Sequence, residues 1–384
     1  MNILVLTYEY PPLGGGGGKV ALGLAEGLVA NGHSVDVVTM GFKTQVGETV
    51  QNGVRVHRLK SLRAKPESCH IGEMVPHEAS VLFYVLKLAK TRRFDIIHAH
   101  FIFPDAFTGS FLAKRLRIPL ICTAHGSDVP GYNPDRFQFQ HVLLKPVWHY
   151  TVRAIDLITS PSEHLRKLIL KSRPSAKVTV IPNGYDPARF DPNTEKQPGI
   201  VVCTRMFQRK GVQYIIDAAV RIAKEDLKYR IPLHILGEGP YLQNLRDQAA
   251  GKDIDITFHG WVDNDSPELK AIYENNAIFA FTSDQENFPV NLLEALCAGN
   301  AIITTDSSGG KEVVGDCALL VPPQNPEAIA TQLKRLIDDA GFRRQLGQDG
   351  RKRLEDNFSW KAVTQQFEDS MRPLIEANER KQQQ

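Results

Sequence analysis

Residues 282–312 read T-S-D-Q-E-N-F-P-V-N-L-L-E-A-L-C-A-G-N-A-I-I-T-T-D-S-S-G-G-K-E. An apolar strand, Ala277 to Phe281, runs into this stretch and turns sharply. A helix is then entered at Pro289, and a second strand covers Ala301 to Thr305 before Asp306-Ser307-Ser308-Gly309-Gly310. Such a run is a βαβ unit of a parallel sheet. Proline suits the first helical position because the N–H it lacks would have been an orphan donor. Glu286 and Glu294 stand eight residues apart across the start of that helix. The rise from Pro289 to Glu294 is about 7 to 8 Å, so the two acids bracket a positive helix N-terminus. A pyrophosphate suits that N-terminus, and flanking carboxylates accept hydrogen bonds from hydroxyls. The arrangement points to a sugar nucleotide as ligand.

Outward from this unit, apolar runs alternate with helical periods along both halves. The first half opens with a strand at Ile3 to Thr7, a loop from Glu9 to Gly18, a helix closed by Asn31-Gly32 and a strand at Ser34 to Met40. Further strands are expected at Val54 to Leu59, Asp95 to His98, Leu120 to Thr123 and Leu157 to Ser160, with helices near 79–91, 138–153 and 161–171. The stretch from Pro182 to Pro198 is rich in Pro, Asn, Asp and Gly and reads as the linker. A second α/β set begins at Ile200 to Thr204 and ends in helices near 326–338, 341–355 and 358–379.

The bulk properties agree with an ordinary two-domain protein. The 384 residues exceed what a single core usually holds, and 42% apolar with 23% charged residues is a globular composition. No apolar run reaches the roughly 18 residues of a spanning helix, and M-N-I-L-V-L-T reads as a buried strand rather than a leader. The five cysteines (69, 122, 203, 297 and 317) are scattered and fit reduced thiols of a cytoplasmic protein. Residues 1–190 hold 23 Lys/Arg against 14 Asp/Glu, net +9, whereas residues 191–384 hold 23 against 29, net −6. The basic first half, and the Val81 to Arg93 segment with its flanking Lys and Arg, permit peripheral membrane contact, although an amphipathic core helix explains the same pattern.

The glycine run Gly14 to Gly18 follows the first strand. As a phosphate loop of the Walker type it fails, because Leu13 stands where the first glycine belongs and Val20 follows Lys19. As a dinucleotide fingerprint it offers only Gly16, Gly18 and Ala21, and the second strand ends at Met40-Gly41 with no acid for a ribose. What remains is a stretch without side chains at a helix N-terminus, able to approach a ligand closely. Arg205 and Lys210 follow the first strand of the second half, where ligands bind open α/β sheets. Two cations there suit the charge that builds on a departing diphosphate, without a metal.

His125 follows a strand of the first half, flanked by Gly126 and Asp128. His98 and His100 alternate on one strand and share a face. With no third ligand nearby, packing or an acceptor-side role is expected of them rather than metal binding. Asp263-Asn264-Asp265 reads as a turn. Basic residues with interleaved aromatics at 136–139 and 145–153 form no recognised nucleic-acid module.

Together, the glycine run, N-G-H-S-V-D-V-V-T (31–39), A-H-G-S-D (124–128), I-P-N-G-Y-D (181–186), Arg205 with Lys210, G-E-G-P (237–240) and the Glu286/Glu294 pair resemble the retaining GT-B glycosyltransferases of glycosyltransferase family 4. The resemblance implies two facing Rossmann-like domains, residues 1–185 joined by the helix at about 359–384 and residues 186–358, with the active site in the cleft. It implies a metal-independent retaining transferase that moves a sugar from a nucleoside-diphosphate donor, UDP before GDP, to an acceptor hydroxyl. No cofactor, no metal and no nucleic-acid partner are expected; the acceptor is a glycan, a lipid or a small molecule. In this reading Glu294 holds the donor ribose, Glu286 lies near the transferred sugar, and Arg205 and Lys210 cradle the diphosphate. His125 contacts the donor sugar, and Gly15, Gly16 and Gly17 line the acceptor or phosphate side. Asn287, Phe288, Pro289 and Val290 complete the donor site; the family often has Gly-Phe-Gly after the first Glu, so Pro289 withholds one backbone donor. A sugar-nucleotide epimerase of similar fold and a non-catalytic nucleotide-sugar-binding protein are the alternatives.

Overall fold

The computed structural model describes residues 1–66, 69–132, 134–284, 286–306 and 308–384, without the side chains of 134–143 and 308. Gln285 and Ser307 of the quoted stretch and the side chains of 136–139 therefore lie outside the described residues. The chain divides into two compact units, Met1–Gly184 with Trp360–Gln384, and Tyr185–Ser359.

In the first unit the order is β1 (Asn2–Leu6), α1 (Gly16–Ala30), β2 (Ser34–Met40), β3 (Gly47–Gln51), β4 (Val54–Leu59), α2 (Ile71–Leu88), β5 (Ile96–His100), α3 (Asp105–Leu116), β6 (Leu120–Thr123), α4 (Pro134–Ala154), β7 (Leu157–Ser160), α5 (Glu163–Ser172) and β8 (Val178–Val180). The sheet runs β3-β4-β2-β1-β5-β6-β7-β8. Its pairs are parallel except the β3–β4 hairpin. Alternate residues of β1 feed opposite cores: Ile3 and Val5 pack with Leu24 and Leu28 of α1, and Leu4 and Leu6 pack with Leu112 of α3. A strand covered on both faces is apolar on both, as Ile3 to Leu6 of β1 are.

The second unit runs β9 (Gln197–Cys203), α6 (Val212–Glu225), β10 (Leu233–Leu236), α7 (Leu242–Ala249), β11 (Ile256–Gly260), α8 (Pro267–Asn275), β12 (Asn276–Phe281), α9 (Val290–Ala298), β13 (Ala301–Thr305), α10 (Ser308–Val314), β14 (Ala318–Val321), α11 (Pro326–Asp338) and α12 (Ala340–Asn357). Its sheet is parallel with order β11-β10-β9-β12-β13-β14. The last helix, α13 (Trp360–Gln383), belongs to the first unit. There Val363, Phe367 and Met371 join the core beside Ile3 and Leu24. A Cβ on Gly23 or Gly184 would fall 2.1 or 2.3 Å from the Trp360 ring, so only glycine lets that ring dock. The chain crosses between units at 184/185 and 359/360, and Tyr185 N–H donates to Phe358 O at 2.7 Å beside the Tyr185–Ser359 bridge.

Several elements depart from the sequence expectation for identifiable reasons. Gly16 to Gly18 form the first turn of α1 rather than a loop, with Gly15 as N-cap. Pro289 is the N-cap of α9 rather than its first residue, since its ψ of 113° is still extended. Helix α2 begins eight residues earlier than expected, reaching back through Pro76 to a cap in which Glu73 Oε2 accepts His70 N–H at 2.8 Å. Its Val81 and Val85 are buried in the core. Helix α3 carried little apolar signal because its hidden face uses Ala106, Thr108, Gly109 and Ser110.

Candidate functional site

In each sheet the strand order reverses at one place, between β1 and β5 and between β9 and β12. Loops leaving the carboxyl ends of the two strands at such a place diverge and open a crevice, the usual ligand position in open α/β sheets. The candidate residues fall at these two switch points.

In the second unit, β9 leads through Arg205 to a short turn ending in Lys210, and Gly211 (φ +74°) starts α6. A Cβ on Gly211 would lie 2.2 Å from Thr282 O, so glycine lets the two loops touch. They are stitched by Asp284 N–H to Arg209 O at 2.9 Å and Thr282 Oγ1 to Gly211 O at 3.0 Å. Lys210 Nζ is thereby brought onto Glu286 Oε1 as a half-buried ion pair, and Ser283 Oγ donates to the same oxygen at 2.7 Å. Burial pushes the Lys210 ammonium down; Glu286 pulls it up, and the nearby Arg209 and Arg205 push it down again. Arg205 itself is exposed.

The start of α9 is fixed by Asn291, whose amide donates to Cys203 O at 2.8 Å. One turn further along, Glu294 Oε2 accepts the Tyr273 hydroxyl at 3.0 Å. Asn287 and Phe288 are buried, Phe288 against Phe358 with ring centroids 5.8 Å apart, while Val290 is 41% exposed. A Cβ on Gly309 would fall 1.9 Å from Asn287 O and 2.4 Å from Glu286 O. Gly237 and Gly239 do the same service behind Arg205, where a Cβ would meet Thr204 O at 1.9 Å and Met206 O at 2.4 Å. Asp263 and Asp265 close on themselves: Asp263 Oδ1 accepts Asp265 N–H at 2.7 Å before α8.

In the first unit, Gly15 N–H donates to Glu9 Oε2 at 3.0 Å, and space is open around Gly15 and Gly16. Gly17 is different, since a Cβ there would sit 2.5 Å from the Phe101 ring and 3.4 Å from His125 Cγ. Phe101 has φ +77°, a conformation costing a non-glycine residue roughly 1 to 3 kcal/mol. Asp128 anchors the turn after β6: Oδ1 accepts the N–H of His125 (3.0 Å) and Gly126 (2.9 Å), and Oδ2 accepts Ile102 N–H (2.7 Å). His125 is half-buried, and desolvation pushes its imidazole down to about 3, so the ring is neutral.

The second unit therefore brings Arg205, Lys210, Glu286 to Val290 and Glu294 to one switch point, and the first brings Gly15 to Gly17 and His125 to the other. Ser283, Tyr273 and Asn291 were not singled out in the sequence, and Asp128 was named only beside His125. Ser283 had a signal, three residues before Glu286; Tyr273 had none, since only the sheet brings it to Glu294.

A cavity of about 540 Å³ lies instead at the amino ends of the second sheet, lined by Lys196, Arg343 and Arg351 among others. These three donate to carbonyls of Tyr273 and Glu274, of Leu336 and Ile337, and of Cys297, at or near the ends of three helices. Offsetting negative helix ends explains them without a ligand.

Residues 14–189 match the family model described as Glycosyltransferase Family 4, and residues 185–353 match Glycosyl transferases group 1. An uncharacterized glycosyltransferase of Methanocaldococcus jannaschii is 28% identical, over 95% of this chain and 96% of that protein. Sucrose-phosphate synthase from Thermosynechococcus elongatus has the same fold, with TM-score 0.76 at 21% identity over 98% of this chain and 99% of the other. So does Anabaena HepE, solved in complex with UDP, with TM-score 0.74 at 17% identity over 97% and 100%.

Proposed function

The chain belongs to the family 4, group 1 glycosyltransferases of GT-B fold, and from that premise we propose that it transfers a sugar from a UDP-sugar to an acceptor hydroxyl with retention and without a metal. The observation that carries this is the junction of Lys210, Glu286 and the start of α9 at the second switch point. A diphosphate placed there meets a lysine, the exposed Arg205 and the amide end of a helix. All three oppose negative charge, which grows as the glycosidic bond breaks. Glu294, fixed by Tyr273, offers its carboxylate to ribose hydroxyls, and Glu286 positions Lys210 while facing the sugar. UDP is favoured by the Anabaena protein, whose bound nucleotide is UDP at 17% identity.

No described side chain is assigned as a covalent nucleophile. Leaving-group charge is stabilised by fixed cations, and the acceptor hydroxyl attacks from the face the diphosphate leaves. In the first unit, His125 is offered to the donor sugar, and the open backbone at Gly15 and Gly16 to the acceptor or phosphates.

The test is a panel of UDP- and GDP-sugars screened for a rise in melting temperature, which a specific donor produces by mass action, followed by product analysis with and without acceptor. Anomeric NMR of the product must show the donor's configuration, and EDTA must leave the rate unchanged. Interconversion of the nucleotide sugar with no acceptor present would instead establish an epimerase.

No helix of the described residues is long and apolar enough to cross a membrane. Peripheral contact is part of the proposal: on the first unit Phe111 (43% exposed) stacks on Tyr150 (49%) at 5.9 Å, and Lys114 and Arg115 follow on α3. Aromatic rings beside cations suit an anionic bilayer surface. Co-sedimentation with vesicles containing phosphatidylglycerol but not with pure phosphatidylcholine is the expected result.

A further inference from the structure

Strand β5 ends I-I-H-A-H, and its period of two puts His98 and His100 on one face. Both are fully buried, with ring centroids 4.5 Å apart. His98 Nε2 lies 2.7 Å from Thr123 Oγ1, which lies 2.8 Å from Thr159 Oγ1, and Thr159 donates in turn to Cys122 O at 3.5 Å. His100 Nδ1 lies 3.1 Å from His125 Nε2, and the two rings stack at 5.3 Å with planes 19° apart. The outer nitrogens, His98 Nδ1 and His100 Nε2, are buried and meet no hydrogen-bond partner among the described residues.

Those two unpartnered nitrogens settle where the protons are. Burial pushes both imidazoles down, helped by repulsion from His125 at His98 and from His98 and His125 at His100, so each ring is neutral and carries one N–H. A buried N–H without an acceptor loses a strong hydrogen bond, so the proton goes to the nitrogen that has one. His98 is protonated at Nε2 and donates along the chain to Thr123, Thr159 and the Cys122 carbonyl. His100 is protonated at Nδ1 and donates to His125 Nε2. His125, neutral and accepting at Nε2, must then carry its own proton on Nδ1.

We infer that His100 is a positioning residue that holds His125 as its Nδ1–H tautomer, so that His125 meets a substrate as a hydrogen-bond donor through Nδ1 and not as a base through Nε2. The assignment deepens the reading of His125 as a site residue of the transferase and rests on it for its functional consequence. The stack also fixes the ring plane: His100 lies against it on one side and Phe101, 4.4 Å between centroids, on another.

The test uses the full chain labelled with ¹⁵N-histidine and two-bond ¹H–¹⁵N spectra, which report the protonated nitrogen of each imidazole. His98→Gln, His100→Phe and His125→Gln identify the three rings. The expected native pattern is Nε2–H for His98 and Nδ1–H for His100 and His125. In His100→Phe, which keeps a buried ring but no donor, His125 should populate Nε2–H, and kcat should fall roughly 10²-fold while the donor Kd is unchanged. His100→Asn, whose amide nitrogen replaces Nδ1, should restore both the tautomer and most of kcat. A native His125 protonated at Nε2, or a His125 tautomer indifferent to His100→Phe, would overturn the inference. A tautomer switch with kcat unchanged would uphold the assignment and overturn the role of His125 in transfer.

Discussion

Lys210 donates a hydrogen bond to Glu286 across the strand-order reversal of the second sheet, joining the loop after β9 to the loop after β12. Neither side chain is more than 13% exposed, so the pair is shielded enough for its charges to matter to a bound diphosphate. Each residue also fixes the other: Glu286 keeps the ammonium charged against its burial, and Lys210 holds the Glu286 carboxylate by a hydrogen bond.

Replacing Arg205 and Lys210 together by Ala removes both cations and should lower kcat at least 10³-fold, taking about 10² or more for each charge-stabilising group. Circular dichroism should show an intact fold, because Arg205 is exposed and Ser283 still donates to Glu286. Activity within tenfold of the native enzyme would exclude them as the diphosphate cradle.

Glu294→Ala should act mainly on nucleotide affinity, weakening UDP binding by calorimetry roughly 10- to 100-fold, the range of one or two charge-assisted hydrogen bonds. It also strands the buried Tyr273 hydroxyl, at a cost of about 1 to 3 kcal/mol in stability. Tyr273→Phe in the Glu294→Ala background should recover part of the stability and none of the affinity. Unaltered UDP binding would remove Glu294 from the ribose site.

Gly309→Ala places a methyl group where the backbone oxygens of Glu286 and Asn287 already are. Overpacking of this kind costs about 1 to 3 kcal/mol, and relief must come from moving the 286–289 loop. Donor affinity and kcat should both drop, although residue 309 need touch no substrate. Native kinetics in this variant would mean that the position of the loop does not govern the site.

Glu78, on α2, is nine-tenths buried, and among the described residues its two carboxyl oxygens have no well-formed hydrogen bond; Thr108 and Asp105 of α3 are its polar neighbours. Burial pushes its carboxyl up from 4.5 to about 7, and Asp105 is raised as well, by burial and by Glu78. The folded chain therefore keeps a proton that the unfolded chain has lost between those two values. Stability is highest below pH 4.5 as far as Glu78 is concerned, falls as pH rises to about 7, and is level beyond. The full effect is on the order of 3 kcal/mol. Glu78→Gln should melt higher than the native chain at pH 8 and alike at pH 4.5, by calorimetry across pH 4.5–8. A parallel pair of curves would show that Glu78 ionises freely in the folded state.

The parts legible in the sequence were those where a local rule suffices. β1 and β9 are apolar on both faces because helices cover both, and residues 277–305 read as a strand, a turn, a helix and a strand. Glu286, Arg205, Lys210 and His125 were singled out because each lies on a loop past a strand of a parallel sheet, and Glu294 because it lies on the helix that follows Glu286. Helix α3 and the first turns of α2 escaped, since small residues bury without an apolar stripe and Pro76 lies inside the early turns of α2. The antiparallel edge strand β3 escaped too, its five residues all exposed and without alternation.

By itself the sequence determined the two α/β units and which residues lie on loops at strand ends, because periodicity and turn chemistry act over a few residues. Only the tertiary structure decided which of those loops meet. Glu286 and Lys210 are 76 residues apart and become partners because β12 inserts beside β9 rather than beyond β11. His100 comes to face His125 because β5 and β6 are neighbours in register, with His100 opposite Thr123. Strand order is a property of how whole layers pack, and no local pattern encodes it; the direction of a proton between two imidazoles is more remote still, resting on a nitrogen that finds nothing to bond.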